Sequence, residues 1–488
     1  MIFNAELARH AFTWFSYFAI VYIAFVNATY LFYGILAYFE TRDFLRIRIK
    51  ERLEQLFRSR LVPPISVLCP AYNESVTIVE SVRSLLRIMY SEHEVVVIND
   101  GSKDRTLQAL IDAFEMREVD QQYELSAPCK AIRGIYASYR YPKLVVVDKE
   151  NGGKADALNA GINVSRYPLF CAVDADAVLE EDALLQLVLP MIDSSDFVPA
   201  TGGIIRAANG SRIVRGMVEK IELPNKPIAL FQIVEYIRAF LVGRTAQSRL
   251  NIMLIVSGAF GLFHKQTVKA VGGYETGTVG EDFELVVRIT RYLLDESRPF
   301  EVAFVPQTVC WTEVPETWRT LARQRNRWHR GMWETLIKHR AMAFNPKYGR
   351  TGVLGMGYFW TVEMLGPIVE LFGYILLPIA VILGVLAPVN AIVFFMISVG
   401  MGVILSLGAL LLEELSFHRY GSWRELATLM WYSILENFGY RQLTLYWRLL
   451  GTFDYLRGNK AWGEQKRAGF STVAATISRP PDDASPRK

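Results

Sequence analysis

Long uncharged apolar blocks lie near both ends of the chain, and shorter apolar runs alternate with polar positions between them. Residues 11–39 carry no charge, and this length exceeds the ~20 residues that cross a bilayer as a helix. The block is too long for a signal-peptide core and no clear cleavage site follows it, so it predicts a retained membrane anchor. Arginines and lysines follow at positions 42, 46, 48, 50 and 52. By the positive-inside tendency, they place the next part of the chain in the cytoplasm.

A second apolar block covers residues 352–412 and carries only Glu363 and Glu370 as charges. Pro388 divides it, which predicts a hairpin of two spans. The beginning of the block, residues 353–370, fits either a further span or an interfacial helix. The predicted spans of the hairpin are residues 371–386 and 391–412.

A third apolar stretch, residues 426–450, carries Glu436 and Arg441. Ionisable side chains are expensive in the hydrocarbon core, so these two residues would face each other, a pore or the interface. An interfacial helix lying flat and a spanning helix both fit this third stretch. We therefore expect about four spans in the chain.

The region between the outer blocks alternates between short strand-like runs and helical patterns. Strands are predicted at residues 65–70, 94–100, 144–148, 169–173 and 256–263, and helices at residues 77–89, from about 103, at 154–159 and near 181–191. This alternation predicts an α/β domain with a mainly parallel sheet and helices on both faces. Residues 115–140 are polar and irregular, which predicts an excursion between elements.

Composition narrows the class of protein further. The chain has 488 residues, more than one ordinary compact domain, and 51% of them are hydrophobic. Its net charge of +4 is modest and divided among juxtamembrane clusters, so we expect no nucleic-acid partner. The cysteines lack metal-ligand spacing, and Cys69 and Cys171 fall in predicted strands as reduced core residues. The tail, residues 471–488, is of low complexity and is predicted to be disordered.

Acidic residues directly follow the predicted strand at residues 169–173. Asp174 and Asp176 would lie at the carboxyl end of that strand, where open α/β sheets bind ligands. Two carboxylates there could hold a hard divalent cation that bridges a diphosphate. Taken alone, the pattern also fits an acidic turn before a helix, and it gains weight only from the residues around it.

Polar residues follow other predicted strands in the same way. Tyr72 and Glu74 follow the first strand, and Asp100 ends the second. Two glycines and Lys154 would bring backbone N–H groups and an ammonium to a phosphate at a helix N-terminus. Each group taken alone fits a helix cap, a turn or a loop. Their common placement at one edge of one sheet favours a nucleotide site.

Two acidic residues open a further predicted helix at residues 283–294. Glu281 and Asp282 stand at its start, where a carboxylate complements the helix dipole. The same carboxylate would serve as a general base if it faces the proposed metal site. The context favours the base over the cap.

The predicted helix at residues 316–339 is rich in arginine and tryptophan. Gln324, Arg327 and Trp328 stand at i, i+3 and i+4, and hence on one face. That face offers an amide, a guanidinium for phosphate oxygens and a ring on which a sugar could stack. An interfacial helix with snorkelling arginines and anchoring tryptophans fits the same pattern, and both interpretations can hold, one for each face.

Together these segments resemble the membrane-embedded inverting family-2 glycosyltransferases, most of all the poly-N-acetylglucosamine synthases, with hyaluronan, chitin and cellulose synthases as more distant relatives. The residues that carry the resemblance are Pro70-Ala-Tyr-Asn-Glu74, Asn99-Asp-Gly-Ser102, Gly153-Lys154, Asp174-Ala-Asp176, Glu281-Asp282 and Gln324-Arg-Asn-Arg-Trp328. The resemblance implies a cytoplasmic GT-A type, Rossmann-like α/β domain inserted between transmembrane helices. The implied segments are an anchor and basic linker (1–62), the GT-A domain (63–315), an amphipathic interface helix (316–350), transmembrane or interfacial helices that form a channel (351–450), and a gating-loop-like segment with the tail (451–488).

The resemblance also implies a role for each site residue. Asp174 and Asp176 would hold the diphosphate through Mg²⁺ or Mn²⁺, and Asp282, beside Glu281, would deprotonate the acceptor hydroxyl. Asp100 and Lys154 would contact the uridine, with Tyr72 and Glu74 close by. Arg327 would stabilise the leaving diphosphate, and Trp328, on the same face as Gln324, would stack on the acceptor sugar. Trp462 and Arg467 are loosely similar to a loop that closes over UDP in hyaluronan synthases.

The implied function is a processive inverting glycosyltransferase of the inner (plasma) membrane that polymerises a β-linked polysaccharide from a UDP-sugar and exports it. UDP-N-acetylglucosamine is the favoured donor, and UDP-glucose differs from it only in the 2-substituent. A glycolipid synthase that adds one or a few sugars to a lipid acceptor would use the same site. A non-enzymatic transporter or binding protein with a nucleotide-binding domain is the alternative of another class. Family analogy also allows a helper membrane or periplasmic subunit.

Overall fold

The computed structural model describes residues 2–46, 62–214 and 216–458. The described residues comprise a long helix, α1 (Ile2–Arg46), then an α/β domain and then a second group of helices. The predicted tail, residues 471–488, lies outside the described residues.

One large sheet organises the α/β domain. The strands of the domain are β1 (Ile65–Ala71), β2 (His93–Asp100), β3 (Met116–Glu118), β4 (Ile132–Ser138), β5 (Leu144–Lys149), β6 (Leu169–Val173), β7 (Val178–Leu179), β8 (Phe197–Ala207), β9 (Arg212–Val214), β10 (Met217–Lys220), β11 (Phe260–His264) and β12 (Phe300–Thr312). Strands β9 and β10 form a separate hairpin, and the other strands belong to the large sheet. Within the described parts of the chain, the large sheet has the strand order β3-β4-β5-β2-β1-β6-β11-β8-β12-β7.

The centre of the sheet, β5-β2-β1-β6, is parallel, as predicted. Both β2 and β6 are buried along their whole length, which explains why continuous apolar runs revealed them. Four further strands, β3, β4, β7 and β11, run antiparallel to their neighbours. The α/β class is therefore confirmed, but the sheet is mixed rather than mainly parallel.

Two predictions about strands are corrected by the structure. Residues 115–140 are not a plain excursion, because they contain β3 and β4. Strand β4 has several half-exposed positions near the edge of the sheet, so its apolar pattern is weak. The strand predicted at residues 256–263 begins only at Phe260, after a turn at residues 258 and 259.

Helices fill the connections between the strands. They are α2 (Ile78–Leu86), α3 (Thr106–Phe114), α4 (Lys154–Val164), α5 (Ala183–Asp193), α6 (Pro227–Tyr236), α7 (Thr245–Arg249), α8 (Lys265–Ala270) and α9 (Glu281–Asp295), with a π-helical segment between α6 and α7. Helix α4 lies against β1 and β2. A Cβ added at Gly161 would lie only 2.9 Å from Cδ1 of Ile98, so a glycine permits this close approach.

The remaining helices follow the sheet. They are α10 (Trp318–Lys338), α11 (Leu365–Ile382), α12 (Pro388–Phe395), α13 (Met401–Ser416), α14 (Trp423–Leu435) and α15 (Arg441–Leu456). Among the described residues, three helices are long and apolar enough to cross a membrane, namely His10–Arg46, Thr351–Ile382 and Pro388–Ser416. The stretch at residues 353–370 is part of the second of these helices and not a separate span. The described residues thus hold three such helices, where about four were expected.

The ionisable residues of the third apolar stretch are paired with charged residues of other helical segments. Glu370 accepts a hydrogen bond from Nε of Arg441 at 2.8 Å. Glu436 is paired with Arg238 and also accepts from the Ser406 hydroxyl at 2.5 Å. Each carboxylate is thereby matched by a cation from a different helical segment, which offsets much of its desolvation penalty.

Candidate active site

The carboxyl ends of the central parallel strands place several predicted site residues along one edge of the sheet. Asp100 is the last residue of β2, and Asp174 directly follows β6. Lys154 is the first residue of α4, which the loop after β5 leads into. The parallel registers of β1 with β2 and of β2 with β5 keep these strand ends level with one another.

Asp100 binds the glycine loop that precedes α4. Its Oδ1 accepts from the backbone N–H of Gly152 at 3.0 Å, and its Oδ2 accepts from that of Gly153 at 2.8 Å. The fully buried Lys149 donates to Oδ1 at 2.7 Å and also pairs with Asp156 at 2.5 Å. The carboxylate of Asp100 therefore acts here as the anchor of the loop in front of Lys154.

A continuous chain of polar contacts joins the acidic loop after β6 to the start of α9. The Lys154 ammonium lies 2.5 Å from Oδ1 of Asp174 and donates to the carbonyl of Gly258 at 2.8 Å. The backbone N–H of the same Gly258 donates to Oδ2 of Asp282 at 2.9 Å. The structure thus brings Asp174, Lys154 and Asp282 together around the backbone of one residue, Gly258.

The acidic loop offers hard oxygen donors of the kind that a divalent cation takes. Asp176 is buried, whereas the Asp174 side chain keeps 22% of its surface exposed. No group of three or more His, Cys, Asp or Glu that could hold a metal occurs in the described part of the chain. A cation here would therefore draw most of its ligands from phosphate oxygens and water, which is how Mg²⁺ is usually bound beside a phosphate substrate. Asp174 and Asp176 therefore fit a divalent cation that is bound together with a phosphate substrate.

Electrostatic effects also connect the predicted residues. The pKa of Glu281 is raised to about 6, first by burial and then by the Asp282 charge, while the Lys154 and Arg327 cations act to lower it. Burial lowers the pKa of Lys154, but the charges of Asp174, Glu281 and Asp282 outweigh it, so that pKa lies above its usual value. Glu281 and Arg327 therefore belong to the same electrostatic group as the three residues around Gly258.

Tyr72 and Glu74 lie on the loop after β1. The Tyr72 side chain is exposed. Glu74 accepts from the Thr77 hydroxyl at 2.9 Å at the start of α2. Burial raises the pKa of the Cys69 thiol, and the charges of Asp174, Glu74 and Asp176 raise it further. Glu74 is therefore close enough to the acidic loop to share its field.

The three predicted residues of α10 differ in their exposure and in their contacts. Trp328 is 45% exposed, and the guanidinium of Arg325 lies 4.5 Å from the centre of its ring. Gln324 is half-buried, and its Oε1 accepts no hydrogen bond from the described residues. The Arg327 charge is close enough to Glu281 to lower the pKa of that carboxyl. Helices α9 and α15 cover part of the surface of α10, so that part is not free to contact a membrane interface.

Sequence reasoning missed three residues of this region, and two residues that it predicted are not described by the structure. Lys149 was missed because it directly follows the predicted apolar strand at residues 144–148. A lysine is almost never fully buried without a partner, so its position at the end of a buried strand could have indicated a buried carboxylate. Gly258 was assigned to a strand, and Gly331, in the middle of α10, was not considered at all. Trp462 and Arg467 lie outside the described residues.

Comparison with known proteins agrees with this architecture. The model of the family described as glycosyltransferase-like family 2 matches residues 63–331. A poly-beta-1,6-N-acetyl-D-glucosamine synthase of Staphylococcus epidermidis strain RP62A is 30% identical over 279 residues, which are 57% of this chain and 56% of that protein. Its counterpart from Staphylococcus aureus strain COL is 28% identical over 277 residues, which are 56% of each protein. The chain thus spans about half the length of the curated relatives it matches.

Solved structures show weaker likenesses. The mannosyltransferase PcManGT from Pyrobaculum calidifontis, in complex with GDP-Man and Mn²⁺, is 17% identical with a TM-score of 0.49 and covers 90% of this chain and 99% of its own. The Staphylococcus aureus TarS fragment 1–349, in complex with UDP-GlcNAc, is 13% identical with a TM-score of 0.37 and covers 81% and 92%. The family match by itself covers more than half of the chain, including the whole sheet and the first part of α10. The chain therefore belongs to glycosyltransferase-like family 2, and its mixed α/β domain is of the GT-A type.

Proposed function

We propose that the protein is an inverting glycosyltransferase that builds a β-linked polysaccharide from a UDP-sugar, with UDP-N-acetylglucosamine as the favoured donor. The observation that carries the proposal is the chain of contacts from Asp174 through Lys154 and Gly258 to Asp282. Because the two aspartates are linked through the backbone of one residue, Gly258, a donor diphosphate and an acceptor hydroxyl could be held on opposite sides of one sugar carbon.

The donor side would be formed by the loops at the carboxyl edge of the sheet. Asp174 and Asp176 would hold Mg²⁺ or Mn²⁺, which, when bound, would neutralise charge on the departing diphosphate. Lys154, whose raised pKa keeps it charged, would bind the same end of the nucleotide. Asp100 would orient the glycine loop toward the uridine, with Tyr72 and Glu74 nearby.

The acceptor side would be formed by the start of α9 and by α10. Asp282 would take the proton of the acceptor hydroxyl as that oxygen bonds to the anomeric carbon. The bond from that carbon to the UDP oxygen breaks on the opposite face, so the configuration inverts. Arg327, already within the field of Glu281, would stabilise the charge on the leaving diphosphate. Trp328, with Gln324 on the same face, would provide the platform for the acceptor sugar.

The polymer and its export rest on the relatives and on the helical region. The curated relatives are named poly-beta-1,6-N-acetyl-D-glucosamine synthases, which supports an N-acetylglucosamine donor and a polymeric product. The three apolar helices support a multi-pass protein of the plasma membrane. The basic residues after α1 support a cytoplasmic α/β domain. The paired ionisable residues among the C-terminal helices would provide polar walls for a sugar chain, and a helper subunit is compatible with this arrangement.

The experiment that tests the proposal is a donor screen on the full chain purified in detergent. UDP release would be measured with UDP-N-acetylglucosamine and UDP-glucose at matched concentrations, and radiolabelled products would be separated by size and by extraction into organic solvent. We expect UDP release with UDP-N-acetylglucosamine and a product of high molecular weight. An organic-soluble product would indicate that the enzyme makes a glycolipid and not a polymer. No UDP release with any donor would refute the proposal.

The Asp282→Asn variant provides the matched test of the general base. Loss of a general base lowers the rate about 10²–10⁴-fold, whereas binding of UDP should stay near that of the wild type. Asp295→Asn, at the other end of the same helix, is the control, because Asp295 pairs with the exposed cations Lys347 and Arg291. Full transfer activity of Asp282→Asn would remove Asp282 from this role.

A further inference from the structure

The middle of α10 touches the loop that carries the proposed base, backbone against backbone. A Cβ added at Gly331 would lie 2.7 Å from Cα and 2.8 Å from N of Gly280. A Cβ added at Gly280 would lie 2.9 Å from Cα of Gly331. Real Cβ atoms do not approach backbone atoms so closely, so no side chain fits at either position without movement. A glycine inside a helix is about 1 kcal/mol less favourable than alanine, and this contact gives the physical reason for it here.

One turn further along, α10 holds the same loop by a carboxylate. Oε2 of Glu334 accepts from the Thr278 hydroxyl at 2.8 Å and from the backbone N–H of Val279 at 3.0 Å. Another turn on, the ammonium of Lys338 lies 2.8 Å from Oε1 of Glu284 in the first turn of α9. Residues 331, 334 and 338 are spaced so that they lie on one face of α10, and this face packs against residues 278–284.

The opposite side of α10 is also fixed. Asn326 donates to Asp454 of α15 at 2.7 Å, and a Cβ added at Gly451 would lie 2.8 Å from the Asn326 carbonyl. Helix α10 is therefore held between α15 and the start of α9. A side chain inserted at residue 331 cannot be absorbed by moving α10 freely away, so the displacement falls on the loop before Glu281.

We propose that Gly331 and Glu334 are positioning residues that set the register between α10 and the Glu281–Asp282 turn, and so the place of Arg327 relative to the proposed base. Arg327 stands one turn before Gly331, and hence on the same face of the helix. This inference rests on the proposed function, because it assigns the two residues to the geometry of sugar transfer.

The electrostatic state of the site is consistent with this role. The Arg327 charge is one of those that lower the pKa of Glu281, against burial and the Asp282 charge. If a side chain at residue 331 moves Arg327 away from the two carboxylates, the pair binds its proton at higher pH. A residue that only supports folding would not change the pH at which the remaining folded enzyme works.

The test compares variants of the full chain in detergent. For Gly331→Ala we expect kcat for UDP release to fall about 10²-fold, as for a displacement of reacting groups by about 1 Å. The KM for UDP-N-acetylglucosamine should stay within about threefold, since the donor loops are untouched. The acid limb of kcat/KM should move to higher pH. Glu334→Ala should behave in the same way, whereas Glu334→Gln, which keeps an acceptor oxygen, should recover most of the activity.

Gly408→Ala in α13 is the matched control, because a Cβ there meets nothing within 4 Å. The thermal midpoint of each variant is measured to identify material that does not fold. If the folded fraction of Gly331→Ala and Glu334→Ala keeps the kcat and the acid limb of the wild type, the positioning role is refuted. If the wild type itself transfers no sugar, the proposed function fails, and the inference fails with it; the two results are distinguished by the wild-type assay alone.

Discussion

Lys149 supports the proposed nucleotide site from inside the protein. Its side chain is fully buried, and its ammonium lies 2.7 Å from Oδ1 of Asp100 and 2.5 Å from Oδ1 of Asp156. Lys149→Met keeps much of the volume of the side chain but removes the only cation that this pair of carboxylates shares among the described contacts. We expect this variant to lose both stability and affinity for UDP.

The expected size of the effect follows from burial. Asp100 and Asp156 are nearly as buried as the lysine, so solvent screens their repulsion little. Removing one member of a buried ionic group typically destabilises a protein by about 3–5 kcal/mol. At about 2–4 °C for each kcal/mol in a domain of this size, the thermal midpoint should fall by about 6–20 °C.

The effect on UDP binding follows from the glycine loop. Without Lys149, Asp100 is no longer fixed in place to hold the N–H groups of Gly152 and Gly153. The loss of one hydrogen bond to a charged group is worth about 1.5–3 kcal/mol, which corresponds to a tenfold or larger rise in the Kd of UDP.

The assay is thermal unfolding by tryptophan fluorescence in detergent, together with UDP binding by calorimetry below the unfolding transition. The control is Lys143→Met, since Lys143 is exposed just before the other end of the same strand. A midpoint for Lys149→Met equal to that of Lys143→Met would show that the buried carboxylates do not depend on this lysine. Unchanged UDP binding in a destabilised variant would show that the buried group of Lys149, Asp100 and Asp156 does not support the nucleotide site.

Two further outcomes are expected. Arg419 donates to both carboxylate oxygens of Glu180, four residues beyond Asp176, at 2.7 and 3.1 Å, so Glu180→Arg and Arg419→Glu should each weaken Mn²⁺-dependent UDP binding, and the double variant should recover it. Because both side chains are about a quarter exposed, we expect a coupling free energy of about 1 kcal/mol. Additive losses of binding free energy in a calorimetric double-mutant cycle would disprove the coupling. The pKa of Glu281, raised to about 6, places the acid limb of kcat/KM near pH 6, with activity lost as the pH falls through that value. Lys154→Met removes a charge that lowers this pKa and should move the limb upward, and a wild-type limb below about pH 5 would contradict the assignment.

The sequence by itself determined the elements whose signal is local. The buried strands β1, β2, β5 and β6 were predicted within a residue or two, because parallel strands covered on both faces consist of continuous apolar runs. The acidic residues after β6 and the Gln324, Arg327 and Trp328 face of α10 were likewise identifiable, because the end of a strand and helical spacing are both visible in a short window. Strand β4, second from the edge of the sheet, was missed because its burial, and therefore its pattern, is partial.

The tertiary structure alone decided which of these groups share a site. Lys154 and Gly258 are 104 positions apart, and they meet only because β11 pairs antiparallel with β6, with Phe260 opposite Val173. The contact of Gly331 with Gly280 likewise depends on how two helices cross. Such contacts leave no periodic signal in the sequence. The space that requires a glycine, or the charge that requires a buried lysine, comes from a neighbour distant in sequence and not from the residue's own helix or strand.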